Sequence, residues 1–163
     1  MNELLNTEDR TEFFRELNNL LQYASSVSRL FWPPISKDKS ATKRSKARGD
    51  YLRNVLNMND GHILHKRTFR DHLAHYDERL DDWAETSAHK AFVDNNIGPP
   101  SAFSGDAIND KDIMRHYDPH SNKFFFRGEF LNIRELIDGV TEVHNTAVSR
   151  LNILQYTKLD ANT

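Results

Sequence analysis

The run Arg70-Asp-His-Leu-Ala-His75-Tyr-Asp-Glu-Arg-Leu80 places a guanidinium (Arg70), a carboxylate (Asp71) and two imidazoles (His72 and His75) within two turns of a helix. These groups suffice for metal-free cleavage of RNA. A neutral histidine can take the proton of a ribose 2′-OH, and a guanidinium can pair bidentately with the phosphate and stabilise its growing charge. Residues four apart on a helix lie about 40° apart around its axis, so Asp71 can accept the ring N–H of His75 and fix its tautomer. His72 sits one turn below. The expected roles are His75 as base, Arg70 as phosphate clamp, Asp71 as orienter and His72 as auxiliary acid or ligand contact. Arg70 and His75 are five apart, about 140° around an ideal helix, and share a face poorly. A site completed across a dimer, where this helix meets its copy, relieves that mismatch.

The same residues admit two other readings. In one, Arg70, Asp71, His72 and His75 form a satisfied polar network at a helix interface, with Asp77, Glu78, Asp81 and Asp82 as solvated charge. The chain is then a binding or assembly module. In the other, His62-Ile-Leu-His65 and His72-Leu-Ala-His75 are His-x-x-His pairs that could set two imidazoles on one helical face for a metal. Their order with the carboxylates fits no zinc motif, so neither a metal nor another cofactor is expected. His89, His116, His120 and His144 read as scattered surface or partly buried residues. The sequence has no Gly-rich phosphate loop and no nucleophile elbow, so nucleotide triphosphate hydrolysis and acyl transfer lack support.

Four helices and one hairpin have to position the cluster. From Thr7 to Phe31 the residues Phe13, Leu17, Leu20, Ala24, Val27 and Phe31 recur three and four apart, and Pro33-Pro34 stops the helix. Between Lys37 and Arg53, seven basic residues face only Asp38 and Asp50. The second half of that segment is helical and ends at Asn57-Met-Asn-Asp-Gly61. It is either a solvated face or a nucleic-acid patch in which Lys43, Arg44 and Lys46, with Arg67 ahead of the histidines, meet phosphates. A third helix is predicted from about Ile63 to Phe92, with Phe69, Leu73, Tyr76, Leu80 and Trp83 in register and Gly98-Pro99-Pro100 beyond it.

After a loop over Ser101 to Lys111, Ile113–Tyr117 and Lys123–Arg127 flank the turn-rich Asp118–Asn122 as a hairpin. Asn132 and Glu135 form a capping-box pattern ahead of a last helix with Ile133, Leu136, Val140, Val143, Ala147, Leu151 and Leu154 on one stripe. Each helix carries a single apolar stripe. The fold class read from this is mainly α: one domain over 1–163, an antiparallel bundle of about four helices with a small β-hairpin before the last. Trp32, Trp83 and Phe124-Phe-Phe126 are expected in the core.

The formal net charge of -2 leaves only a local patch for any nucleic acid. The absence of cysteine excludes disulfides, thiolate zinc sites and a cysteine nucleophile. With no basic leader and no window near the roughly 20 apolar residues of a membrane span, a cytoplasmic protein without membrane association is expected.

Arg70-x-x-x-x-His75, with polar Asp71 after the arginine and Tyr76 after the histidine, resembles the R-x4-6-H motif of HEPN proteins, the higher eukaryotes and prokaryotes nucleotide-binding domains. Members of that family are helical bundles, commonly dimers. The active ones are metal-independent ribonucleases, many serving as toxins or in defence against phage. The resemblance implies Arg70 and His75 as the catalytic pair and Asp71 as the polar neighbour. It also implies RNA or a nucleotide as ligand, a homodimer, and an antitoxin or neighbouring protein as partner. A non-catalytic relative would hold nucleotide or RNA through the same residues. Some members have one residue between the histidine and a tyrosine, whereas Tyr76 follows His75 directly.

Overall fold

Helix α1 spans Thr7–Phe31, as its spacing predicts. Its buried stripe is Phe14, Leu17, Leu21, Ala24, Ser28 and Phe31, one position round from the expected line through Phe13, Leu20 and Val27 at several turns. Trp32 makes the last helical bond, its N–H to the Ser28 carbonyl at 2.8 Å, before Pro33 removes the next donor. The structure is a computed structural model describing residues 7–66, 71–72, 74–103 and 108–160. It divides into two compact units, Met1–Tyr23 with Arg67–Arg134 and Ala24–Lys66 with Glu135–Thr163.

The first unit is built on a four-stranded sheet of β1 (Asn96–Ile97), β2 (His116–Asp118), β3 (Lys123–Phe126) and β4 (Glu129–Asn132), in that spatial order. β1 runs parallel to β2, and the other pairs are antiparallel. Residues directly opposed share a face, so Tyr117, Phe124 and Leu131 line up on one side and His116, Phe125 and Phe130 on the other. The first of these faces meets α1. Phe13 packs on Tyr117 with ring centroids 5.0 Å apart, and Phe14 lies 6.5 Å from Phe124. Phe124, Phe126 and Met114 are fully buried.

This arrangement corrects the expected bundle. The predicted hairpin is real, but it is the β2–β3 centre of a mixed sheet rather than an appendage to helices. A second hairpin follows because Arg127 (φ 49°) and Gly128 (φ 84°) both adopt left-handed backbone, the requirement of a tight two-residue turn between Phe126 and Glu129. The apolar stripe at the start of α1 buries against sheet phenylalanines, which a bundle does not provide.

The third predicted helix is also corrected. Ile63–His65 is one 3-10 turn, and Lys66 after it is extended (φ -64°, ψ 113°). Helical backbone at residues 71, 72 and 74 meets an off-helix His75 (φ -123°, ψ 39°), after which α3 runs Tyr76–Thr86. It ends at extended Ser87, short of Phe92.

The second unit holds the rest of α1, α2 (Lys39–Val55) and most of α4 (Ile133–Asp160). Asp38 caps α2 by accepting the Ser40 N–H at 2.7 Å, and the Ser40 hydroxyl together with this backbone bond holds its carboxyl below the usual range. At Gly49 an added Cβ would run into the Phe31 carbonyl oxygen, so this close approach requires glycine. Trp32 is buried, donates its indole N–H to Asp60 at 2.8 Å, and stacks on His65 at 4.7 Å and 17°. Among the described residues no helix is long and apolar enough to cross a membrane.

Candidate functional site

The start of α3 is fixed by Tyr76. Its ring meets the buried Phe126 edge-on at 5.9 Å, and the Arg115 guanidinium lies 5.1 Å over it. Arg115 is itself held by Asp94, through Nε to Oδ1 at 2.7 Å and Nη2 to Oδ2. Burial and then the Asp94 charge push the Tyr76 phenol upward in pKa, so it stays protonated near neutrality. With Tyr76 turned inward, its neighbour His75 turns outward. The His75 side chain is 52% exposed.

The carboxylate at that imidazole belongs to Glu78, whose Oε1 lies 3.1 Å from His75 Nδ1. Asp71, the expected orienter, is half-buried and meets His75 through the backbone, its carbonyl accepting the His75 N–H at 3.1 Å. The sequence alone presents Glu78 as solvated charge, although its three-residue spacing from His75 is as favourable as the four-residue spacing to Asp71. A carboxylate at Nδ1 favours the tautomer that carries its proton there, which leaves the lone pair on Nε2. This is the arrangement a general base needs, at surface strength, because both partners are more than half exposed.

His72 faces a different environment. Its side chain is 12% exposed, its ring stacks on Phe126 at 4.9 Å and 21°, and Nε2 lies 3.5 Å from Glu129 Oε1. Burial is the main force holding its pKa below the ordinary imidazole value. Arg79 and Arg127 add to that, and Glu129 opposes it. His72 is therefore neutral near pH 7 and poorly suited to donate a proton. The two histidines do not converge on one point.

Arg79 and Arg127 supply the nearby positive charge. Arg127 pairs with Asp82 and donates from Nη1 to the Arg79 carbonyl at 3.1 Å, tying the β3–β4 turn to α3. Arg79 is half-buried and enters no ion pair among the described residues. His72, His75 and Arg79 are spaced three and then four apart, the helical signal that could have drawn Arg79 into the site. Arg70 and Arg67 lie outside the described residues.

Lys43, Arg44 and Lys46 are exposed on α2, with Arg44 Nη1 donating to Ser40 Oγ at 3.1 Å. The imidazoles of the His62/His65 pair are engaged locally. Leu64 N–H donates to His62 Nδ1 at 3.2 Å, and His65 Nδ1 lies 2.8 Å from the Asp60 carbonyl oxygen. Among the described residues no three histidine, aspartate or glutamate side chains gather as a metal-binding group. Comparison with protein-family models, with curated proteins and with solved structures returns no match for this chain.

Proposed function

We propose that this chain binds RNA and cleaves it without a metal, with His75 as the general base. The observation that carries the reading is the His75–Glu78 pair on a half-exposed imidazole, with the half-buried Arg79 one helical turn further along α3. His75 takes the 2′-OH proton as the 2′-oxygen attacks phosphorus. The bond to the 5′-oxygen then breaks, and that oxygen takes a proton from water, leaving a 2′,3′-cyclic phosphate. Arg79 stabilises the phosphate charge, together with Arg70 in the role the HEPN resemblance gives it. His72 packs the segment ahead of α3 on Phe126 and does not serve as the acid. Lys43, Arg44 and Lys46 bind the RNA backbone. The reading extends to a cytoplasmic homodimer of toxin or defence type, regulated by an antitoxin or neighbouring protein.

The test is cleavage of a labelled RNA pool under excess chelator by the wild type, His75→Ala and Glu78→Gln. Chelator-resistant cleavage, abolished in His75→Ala and weakened in Glu78→Gln, is the expected result. Full activity of His75→Ala removes it from the base role. The exposure of His75 favours one second reading, RNA binding without cleavage, since a half-exposed ring is open to water. RNA retained on a filter by wild type and variants, with no cleavage by any, selects that reading.

A further inference from the structure

The C-terminal end of α3 and the 3-10 turn Asp110–Asp112 enclose a cleft of about 520 Å³, in the size range of small-molecule sites. Trp83, Ser87, His89, Asn109, Lys111 and Asp112 are among its lining residues. None of them belongs to the His75 cluster.

Two lining side chains are more than nine-tenths buried and retain unused hydrogen-bonding capacity. Ser87 is 9% exposed, and its Oγ has no hydrogen-bond partner among the described residues. Asp112 is 4% exposed. Its Oδ2 accepts the Asn109 N–H at 3.0 Å, and no hydrogen bond among the described residues uses Oδ1. The buried Ser87 hydroxyl loses free energy unless a ligand or water completes it, and Asp112 Oδ1 keeps acceptor capacity for the same ligand.

The charges sort the candidate ligands. Asp82 also lines the cleft but is already paired with Arg127, so Asp112 supplies the uncompensated negative charge. The carboxyl end of α3 adds partial negative charge on the same side. Both favour an ammonium and oppose a phosphate. Lys111 is exposed, and its ammonium enters no ion pair among the described residues. It therefore offers an anion-binding group at the rim.

We propose that this cleft binds a small zwitterion of the amino-acid type, its ammonium on Asp112 and Ser87 and its carboxylate on Lys111. The site is independent of the His75 reaction and would make the domain responsive to a small metabolite.

The test is calorimetric titration of the full chain with the free amino acids, cadaverine, glutarate and adenosine monophosphate. At least one amino acid binds in the millimolar range or tighter, cadaverine binds more weakly, and glutarate and the nucleotide do not bind. Ser87→Ala and Lys111→Ala each weaken the amino acid severalfold, and Asp112→Asn roughly tenfold or more. Because Asp112 also caps its turn, the first two variants decide the matter if circular dichroism shows the third unfolded. His75→Ala binds like the wild type, so a failure here is distinguishable from failure of the ribonuclease reading. Binding of no amino acid, preference for the nucleotide, or unchanged affinity in both Ser87→Ala and Lys111→Ala overturns the proposal.

Discussion

Replacing Phe126 with alanine tests whether the sheet is the core of the first unit and whether it sets the state of the candidate site. The ring is fully buried, with His72 stacked on one side and the Tyr76 edge on another. Losing such a ring costs about 3–5 kcal/mol, a large share of the roughly 5–15 kcal/mol that holds a domain folded. With a urea slope of about 2 kcal/mol per M, the unfolding midpoint falls by about 2 M. The control is Phe130→Ala, four residues on. That ring is 54% exposed and loses the Lys123 ammonium 4.1 Å from its centroid, a change of about 1 kcal/mol or less. The assay is urea denaturation followed by circular dichroism. Phe126→Ala also lets water reach His72, so its imidazole pKa moves back towards its ordinary value in an NMR titration. Equal costs for the two alanine variants, or an unmoved His72 titration, would refute the assignment of Phe126 as the shared support of core and site.

Burial holds both His72 and His116 below the ordinary imidazole value of 6.5, so each contributes stability that is fully present above that pH and lost as pH falls through the depressed folded value. Unfolding midpoints at about pH 8 and pH 5 should show this acid-side loss, and a flat profile would contradict it. Gly49→Ala should destabilise by about 1–3 kcal/mol because the methyl meets the Phe31 carbonyl, reversing the roughly 1 kcal/mol gain that alanine normally brings to a helix. A rise in melting temperature would show that the two segments are not in contact. Glu78→Gln should lower RNA cleavage more than Asp71→Asn does, since Glu78 is the carboxylate at the His75 ring. The reverse ranking in single-turnover rates would return the orienting role to Asp71.

What the sequence disclosed follows the reach of the interactions involved. The span of α1, the onset of α4 after Asn132 and the turn at Asp118–Asn122 rest on neighbours within a few residues, and the structure agrees with all three. Strand β1 is two residues long and pairs in parallel with His116 and Tyr117, a contact across twenty residues that no local periodicity records. Strand β4 was hidden because Arg127-Gly128 is a less familiar turn pair than Asn-Gly, though its backbone is the same. The break in the third helix escaped because apolar spacing continues across it; Lys66 and His75 leave helical geometry without any proline or glycine to mark the place. The histidine cluster was visible as composition, but which carboxylate meets His75 depends on Tyr76 being pulled inward by Phe126 and Arg115.

The Arg127-Gly128 turn also bears on the order in which the unit assembles. Strands β2, β3 and β4 are consecutive in the chain and joined by short turns, so closing them forfeits little loop entropy. This meander can form as an early, locally encoded nucleus, whereas α1 and β1 must be recruited across long stretches of chain. Left-handed backbone at the turn then governs speed as well as shape. A residue that resists positive φ at Gly128 would slow the first step of folding and lengthen the time that three phenylalanines stand exposed to other chains.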